Sequence, residues 1–330
     1  MPDVICLGEA LIDFIPLESG VSLMDVSGFK KAPGGAPANV AAGLAKLGNS
    51  SAFVGKVGDD AFGRFLERTF ADAGVDVSRM LYDASARTGL AFVSLSAAGV
   101  PEFMFYRNPS ADMLLTAEEL DGEFIRSARA FHYGSITLIS EPSKSATEAA
   151  IHHASEAGLL ISYDPNLRRP LWPSEAHAKR EMLGAMVHPH VVKLSEEELA
   201  FLSDTSDQSD LSDLSERLLD AYPNLKLVAV TLGAEGCYFR TAKAEGAVPS
   251  FKVEVVDTTG AGDGFVAGML SRLLDLVPGS EEIEALKAED LHGVFRFANA
   301  VAGLTTTKRG AITALPSRPE VEEMLSRTGR

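Results

Sequence analysis

Short apolar runs recur along the chain at intervals that suit the strands of a buried β-sheet. Several runs are continuous instead of alternating, which is typical of strands that are covered on both faces of a parallel sheet. The predicted strands are Val4–Leu7, Ala52–Val57, Leu90–Ser94, Phe103–Arg107, Ala130–Tyr133, Leu159–Tyr163, Val191–Leu194, Leu225–Thr231 and Gly236–Arg240.

Segments with helical spacing lie between these runs. The predicted helices are Ala38–Leu47, Asp60–Ala73, Ser143–Ala157 and Ser195–Leu202. Gly48, Gly74 and Gly158 follow the first three, at the position where a left-handed residue commonly ends a helix. The alternation of strand and helix predicts an α/β fold with a largely parallel sheet and right-handed crossovers.

Two segments, 12–33 and 87–107, break this alternation because they carry strand-like pieces without a long helix between them. We expect them to form a small separate sheet that acts as a lid and keeps water out of a ligand crevice. The run 204–213 is too polar to pack and predicts an exposed loop. No internal repeat is visible, and we expect 1–330 to form a single domain.

The composition favours a protein with a sizeable core, since 46% of the 330 residues are hydrophobic. The net charge of −16 argues against a nucleic-acid partner, because nucleic-acid binding depends on clustered Lys and Arg. No apolar run approaches the roughly 18 residues of a membrane span, and the N-terminus lacks the features of a signal peptide. We therefore expect a cytoplasmic protein without a membrane partner. Cys6 and Cys237 lie in apolar runs and predict buried thiols.

The most informative stretch is 257–263, Asp-Thr-Thr-Gly-Ala-Gly-Asp, which runs into an apolar helical segment. Gly260, Ala261 and Gly262 keep bulky side chains out of a turn, so backbone N–H groups can converge on an anion at the start of that helix. Asp263 places a carboxylate beside the anion. This combination suits phosphoryl transfer to an alcohol, although an ordinary glycine-rich turn explains the same pattern.

A second group of residues lies near the N-terminus. Gly34 and Gly35 allow a ligand to approach the backbone closely, and Asn39 then falls in the first turn of a predicted helix. The amide of Asn39 can offer a donor and an acceptor to a polyol. Asp13 ends the first strand region, where ligands sit in open α/β sheets, but a helix cap or a surface turn is an equally good interpretation.

Ordered segments of the chain resemble the fructokinases of the ribokinase-like (PfkB) carbohydrate kinase family, especially the plant-type group. Both family motifs are present, GGAPANVAAGLAKLG at 34–48 and DTTGAGDGFVAGM at 257–269. Further matching segments are FMFYRNPSADMLL, FHYGSITLIS, SYDPNLRRPLWPS and FANAVAGLTTTKRGAITALP. The resemblance covers essentially the whole length and implies a three-layer sandwich, with a largely parallel central sheet flanked by helices, and a small β-sheet lid.

The resemblance implies ATP-dependent phosphorylation of D-fructose to D-fructose 6-phosphate. Asp263 would be the general base, and the anion hole would consist of Gly260, Ala261 and Gly262. The residues implied for sugar contact are Asp13, Gly34, Gly35 and Asn39. We add Arg107 and Arg168, because either guanidinium could donate two hydrogen bonds to a phosphate or to sugar hydroxyls. A surface arginine is the alternative for both, and Arg168 is the stronger candidate because it follows a predicted strand end.

The resemblance also implies a nucleotide side and two ion sites. The nucleotide-side positions are Lys193, Thr231, Gly233, Gly236 and Asn299. Glu198 would hold Mg²⁺ through water. Oxygens of Asp257, Thr259, Thr305, Lys308 and Gly310 match a monovalent cation site, where K⁺ would order the anion hole.

Two positions depart from the family pattern. Relatives often carry Asn-x-x-Glu near the Mg·ATP site, whereas this chain has Ser195 three residues before Glu198. Ser-x-x-Glu is also a capping box at a helix start, so a purely structural interpretation is open. Gly264 replaces the commoner alanine after Asp263, with an expected loss of roughly 1 kcal/mol in helix propensity.

Three alternatives accompany the fructokinase interpretation. Another small-sugar kinase of the family, for ribose, 2-keto-3-deoxygluconate or a nucleoside, has the same motifs. A catalytically silent sugar-binding regulator would be expected to have lost the base or the anion hole, and both are present here. A dinucleotide-binding oxidoreductase is excluded, because no GxGxxG follows the first strand. A homodimer through the lid is the expected assembly by resemblance.

Overall fold

A nine-stranded sheet forms the centre of the protein in a computed structural model that describes residues 1–18, 20–95, 101–205 and 210–327. The strand bounds are β1 Val4–Leu7, β2 Leu11–Pro16, β3 Phe29–Gly34, β4 Ser51–Gly58, β5 Asp76–Asp83, β6 Gly89–Leu95, β7 Pro101–Tyr106, β8 Ala130–Gly134, β9 Leu160–Asp164, β10 Val191–Ser195, β11 Leu227–Thr231, β12 Gly236–Arg240 and β13 Glu245–Pro249. The order in the large sheet is β13-β12-β11-β10-β9-β8-β1-β4-β5. β12 is antiparallel to both of its neighbours, and the other adjacent pairs are parallel.

Helices cover both faces of this sheet. Their bounds are α1 Ala36–Lys46, α2 Ala61–Asp72, α3 Gly122–Arg126, α4 Ser143–Glu156, α5 Glu175–Ala185, α6 Glu196–Leu202, α7 Leu211–Ala221, α8 Ala261–Leu276, α9 Ala288–Thr305 and α10 Arg318–Arg327. Successive strand residues point to opposite faces, so Val4 and Cys6 join the core beneath α1, α2, α8 and α9. Ile5 and Leu7 join the core beneath α3 to α7. The three-layer α/β architecture expected from the sequence is confirmed.

A second sheet has the strand order β3-β2-β6-β7 and stands apart from the first. β2 pairs in parallel with β6, and the two outer strands are antiparallel to their neighbours. Aromatic side chains fill one face of this small sheet, where Phe14 stacks on Phe92 with ring centroids 4.7 Å apart. Phe29 meets both rings edge-on. The small separate sheet predicted from the sequence is therefore present.

All nine strands and all four helices predicted from the sequence are present, and their ends differ from the predicted ones by at most two residues. The prediction of a loop over 204–213 is wrong at its C-terminal end, because α7 begins at Leu211. The Asp210 side chain caps this helix by accepting a hydrogen bond from the N–H of Asp213 at 2.9 Å. Residues 206–209 of that run lie outside the described residues. Cys6 and Cys237 are buried, as expected. Across the described ranges, no helix has the length and apolarity to span a membrane.

Candidate functional site

The N-terminus of α8 forms the centre of the candidate site. Gly260 occupies the N-cap position in the left-handed region, with φ +77°. A methyl group on Gly260 would lie 2.8 Å from Ala311 Cβ, so the turn needs glycine for both conformation and space. The first N–H groups of a helix have no partner inside the helix. The turn that was predicted as an anion hole therefore lies at the positive end of a 16-residue helix, and within the turn the N–H of Ala261 bonds to the Thr258 carbonyl at 3.2 Å.

Asp263 lies in the first turn of α8 and is buried, with 8% of its surface exposed. Its Oδ2 accepts a hydrogen bond from Asn39 Nδ2 at 2.7 Å. Burial raises the pKa of Asp263, and Asn39, Arg168 and Lys193 only partly offset this effect. A buried carboxylate with a raised pKa, beside an anion-binding helix start, is suited to accept a proton.

Asn39 connects α1 with α8. Its position in the first turn of α1 agrees with the sequence-based expectation, and Pro37 stands just before it at the start of the helix. The Oδ1 atom of Asn39 is buried and has no hydrogen-bond partner among the described residues. Because a buried acceptor without a partner is costly, this atom is a ready acceptor for a ligand hydroxyl.

Asp13 and Arg168 lie close to Asp263. Burial raises the pKa of Asp13 to about 7, while Arg168 lowers it and Asp263 raises it further. The two carboxylates and the guanidinium therefore belong to one electrostatic cluster. A methyl group on Gly34 would overlap the Asp13 carboxylate, so glycine at this position lets the backbone approach that group.

Lys193 and Asp164 form a buried ion pair next to the anion site. Lys193 Nζ lies 3.3 Å from Oδ1 and 3.2 Å from Oδ2 of Asp164. Burial raises the pKa of Asp164 to about 6 although Lys193 lowers it. Burial opposes the charge of Lys193, yet Asp164 and Glu198 raise its pKa above the ordinary lysine value. A methyl group on Gly262 would lie 3.4 Å from Lys193 Nζ, so this cation stands at the glycine turn.

Glu198 and Ser195 form the capping box that the sequence left open as a structural interpretation. Ser195 Oγ accepts from the N–H of Glu198 at 3.2 Å, and Glu198 Oε2 accepts from the N–H of Ser195 at 2.7 Å. Glu198 Oε1 accepts from the N–H of Leu167 at 2.6 Å. Each carboxylate oxygen holds one backbone donor in these bonds, and a carboxylate oxygen has a second lone pair for water.

The candidate nucleotide-side residues lie around β11, β12 and β13. Thr231 ends β11 and donates through Oγ1 to the Leu194 carbonyl at 3.3 Å. Gly236 has φ +112°, and a methyl group there would overlap the Val248 carbonyl oxygen. Gly233 also has a positive φ. Asn299 is buried, and its Nδ2 donates to the Val248 carbonyl at 2.9 Å, so this amide nitrogen fastens β13 to α9.

The candidate monovalent cation residues are joined by the Asp257 carboxylate. Oδ1 accepts from the N–H and the hydroxyl of Thr259 at 2.9 and 2.7 Å, and Oδ2 accepts from the N–H of Gly310 at 2.8 Å. Thr305 donates to the Val301 carbonyl at 2.8 Å. Lys308 donates through its ammonium to Glu320 at 3.2 Å, and its backbone carbonyl is the oxygen that it can offer an ion. Within the described ranges, no three His, Cys, Asp or Glu side chains form a group that could hold a metal.

The two candidate arginines differ in their surroundings. Arg107 forms a buried ion pair with Asp112 and donates through Nε to the same carboxylate at 3.0 Å. Its charge is therefore already paired within the protein, which the sequence did not predict. Arg168 is half-buried, donates to the Leu167 carbonyl at 3.3 Å and acts on the carboxylates of Asp13 and Asp263.

Two buried acids, Glu9 and Asp164, were missed by the sequence-based site prediction. Both stand at or just beyond the carboxyl end of a strand, β1 for Glu9 and β9 for Asp164. That position marks ligand crevices in open α/β sheets and was the available signal.

Comparison with known proteins gives matches over nearly the whole chain. A model of the pfkB family carbohydrate kinases matches residues 1–318. Fructokinase-1 of Zea mays is 50% identical over 325 residues, which are 98% of this chain and 98% of the maize protein. The structure of fructokinase with bound ATP from Xylella fastidiosa is 34% identical, with a TM-score of 0.89 and full coverage of both chains. Fructokinase from Vibrio cholerae O395, in a fructose, ADP and calcium ion bound form, is 35% identical with a TM-score of 0.84, over 98% of this chain and 99% of that chain.

Proposed function

The chain belongs to the pfkB family of carbohydrate kinases, and on that premise we propose that Asp263 is the general base with which it phosphorylates D-fructose at O6. The reaction is ATP-dependent phosphorylation of fructose, since relatives that are 50% identical over 98% of the chain are fructokinases. The observation that carries the role of Asp263 is its buried hydrogen bond from Asn39 at the N-terminus of α8.

The sugar hydroxyl loses its proton to a carboxylate oxygen of Asp263. The hydroxyl oxygen then forms a bond to the γ-phosphorus of ATP as the bond between that phosphorus and ADP breaks. Burial raises the pKa of Asp263, which strengthens it as a proton acceptor. The N–H groups at Gly260, Ala261 and Gly262, together with the Lys193 ammonium, neutralise charge on the transferred phosphoryl group.

Fructose is held by the cluster around Asp263. Asn39 Oδ1 accepts a hydrogen bond from a sugar hydroxyl, which satisfies a buried acceptor that has no partner among the described residues. Asp13 accepts from a second hydroxyl, and Gly34 and Gly35 let the sugar approach the backbone. Arg168 donates to the sugar or to the phosphate as charge develops.

ATP occupies the opposite side of the glycine turn, along Thr231, Gly233, Gly236 and Asn299. Glu198 would hold Mg²⁺ through water when the metal is bound with ATP, and the metal would supply positive charge to the phosphate oxygens. Carbonyl and hydroxyl oxygens are the ligands that K⁺ prefers. Such oxygens are available from the segment 257–259, Thr305, Lys308 and Gly310. Three hydrogen bonds of the Asp257 carboxylate hold Thr259 and Gly310 together.

The small sheet is the lid in this proposal, formed from about 12–33 and 87–107. Closing it over the sugar excludes water, which would otherwise compete with the sugar hydroxyl for the phosphoryl group. Exposed apolar side chains lie on β7 and in the connection between β2 and β3, namely Tyr106, Leu17 and Met24. These side chains support the homodimer through the lid that the family resemblance implies, because exposed apolar surface is stabilised by contact with a second copy.

The test is a coupled ADP-release assay with Mg·ATP, in which fructose is compared with ribose, glucose, mannose and 2-keto-3-deoxygluconate. Asp263→Asn should lower kcat by about 10²- to 10⁴-fold, the usual size of a general-base contribution, and leave the Kd of fructose nearly unchanged in calorimetry. Asp275→Asn, a matched change near the far end of α8, should leave kcat unchanged. Near-wild-type turnover of Asp263→Asn removes the residue from this role, and a higher kcat/KM for another sugar overturns fructose as the substrate.

A further inference from the structure

Glu9 is a buried acid that the proposed reaction does not use. It follows β1, only 2% of its surface is exposed, and its Oε1 accepts a hydrogen bond from the N–H of Ala36 at 2.8 Å. Ala36 is the first residue of α1. The carboxylate therefore binds a helix start that lies 27 residues further along the chain.

The start of α1 cannot supply its own cap. Gly35 holds the N-cap position at φ +111°, and a methyl group there would overlap the carbonyl oxygen of Glu9. Both the conformation and the space require glycine, so the side-chain oxygen that usually caps a helix is missing. The Glu9 carboxylate takes that place and lies at the positive end of the helix.

The turn that Glu9 binds contacts Asp13 on one side and leads to Asn39 on the other, and both residues are assigned to fructose in the proposed function. Gly34 lies directly against the carboxylate of Asp13, as the overlap of an added methyl group shows. The N–H of Asn39 bonds to the Gly35 carbonyl at 2.9 Å, and the Asn39 amide reaches Asp263 at 2.7 Å. A shift of the turn would therefore move both Gly34 and Asn39.

We propose that Glu9 is a positioning residue for the sugar: its carboxylate fixes the turn of Gly34 and Gly35 by holding the Ala36 N–H, and thereby sets Asn39 in place. The inference rests on the proposed function, because the turn is assigned to fructose there. Arg107 and Asp112 belong to the same buried cluster, since both act on the Glu9 carboxylate.

Two substitutions separate the position of the oxygen from its charge. Glu9→Asp keeps the charge but withdraws the oxygen by one methylene, and should raise the Kd of fructose about tenfold, as expected for loss of one buried hydrogen bond to a charged group. Glu9→Gln keeps an oxygen at the same reach and should stay within about threefold of the wild type. The Kd is measured by calorimetry on the full-length protein, and the KM of ATP should be unchanged in both variants.

Tyr133→Phe is the control for a purely structural effect, because it removes a buried hydrogen bond to the Ala185 carbonyl on the other face of the large sheet. It should lower the melting temperature and leave the Kd of fructose unchanged. The inference is overturned if Glu9→Asp binds fructose as well as the wild type does, or if Glu9→Gln weakens binding as much as Glu9→Asp. It is also overturned if the KM of ATP rises by the same factor as the Kd of fructose. A wild-type enzyme that does not phosphorylate fructose refutes the proposed function itself, and the inference with it.

Discussion

At the scale of single residues, buried acids are concentrated around the proposed fructose site, at Glu9, Asp13 and Asp263. Burial raises the pKa of Glu9 and of Asp13 to about 7 in both cases, and also raises that of Asp263. Each of these groups lowers the stability of the folded protein when it is ionised, because the charged form loses the solvation that water provides. Such a cost is typical of functional sites, where the ligand later supplies the missing partners.

Asp13 gives the first prediction at this scale. An aspartate in the unfolded chain titrates near pH 4, whereas the pKa of Asp13 in the folded protein is about 7. The folded state holds this proton more tightly, so the contribution of Asp13 to the free energy of unfolding falls as the pH rises between these two values. Asp13→Asn should therefore raise the melting temperature more at pH 8 than at pH 5, while weakening fructose binding.

Differential scanning calorimetry at both pH values measures this effect on the protein without ligand. Asp275→Asn serves as the control, because Asp275 lies at the protein surface in ion pairs with Arg272 and Arg318. An equal gain for Asp13→Asn at both pH values would contradict the raised pKa as the cause.

At the scale of the elements, the close crossing of α8 and α9 holds the anion site. A methyl group on Gly268 would lie 2.9 Å from Ala298 Cα and 3.0 Å from Val301 Cγ2. A methyl group on Gly264 would lie 2.9 Å from Thr305 Oγ1. Gly264 stands where relatives commonly have alanine, and the close packing against Thr305 explains the glycine, although glycine lowers helix propensity.

Two glycine-to-alanine changes test this packing. Gly268→Ala should lower the free energy of unfolding by about 1–3 kcal/mol, because the backbone of α9 cannot move away as a flexible side chain would. Gly293→Ala is the matched control within α9, since nothing lies within 4 Å of the added methyl group. It should raise the free energy of unfolding by about 1 kcal/mol through helix propensity. Urea unfolding of both variants measures the difference, and a stabilising Gly268→Ala would refute the close crossing.

At the scale of the whole molecule, the small sheet is linked to the large one near the sugar side. β1 leads through Glu9 into β2, and Gly34 at the end of β3 leads directly into α1. The buried pair of Arg107 and Asp112 lies just after β7. A closing movement of the small sheet, as proposed for the lid, would therefore act on the residues that surround Asp263.

Hydrogen exchange tests the lid. Fructose with a non-hydrolysable ATP analogue should slow amide exchange in β2 and β3, because a closed small sheet opens less often. Exchange in α10 should be unchanged, since no residue of that helix belongs to the lid or to the proposed fructose and ATP sites. Mass spectrometry of peptides from 11–16 and 29–34 measures the change. Equal exchange with and without the ligands would contradict a closing lid.

The sequence predicted most of the large sheet because its central strands are continuous apolar runs. It missed β5 and β13, which lie at the two edges of the sheet. An edge strand has one neighbour and is more exposed, as the mixed burial of both strands shows, so its sequence carries no apolar run. The start of α7 was missed because its cap, Asp210, stands in a polar run that looks like a loop.

The α/β class, the glycine turn before Asp263 and the family resemblance could all be predicted without a structure, because these depend on local patterns of apolar residues and glycines. Which polar groups face one another became definite only in the folded chain. Glu9 meets Ala36, Asp164 meets Lys193, and Arg107 is paired with Asp112. The first two pairings join residues that are 27 and 29 positions apart, across the parallel strands and crossovers of the sheet. They depend on strand order and register, which become definite only when the core packs.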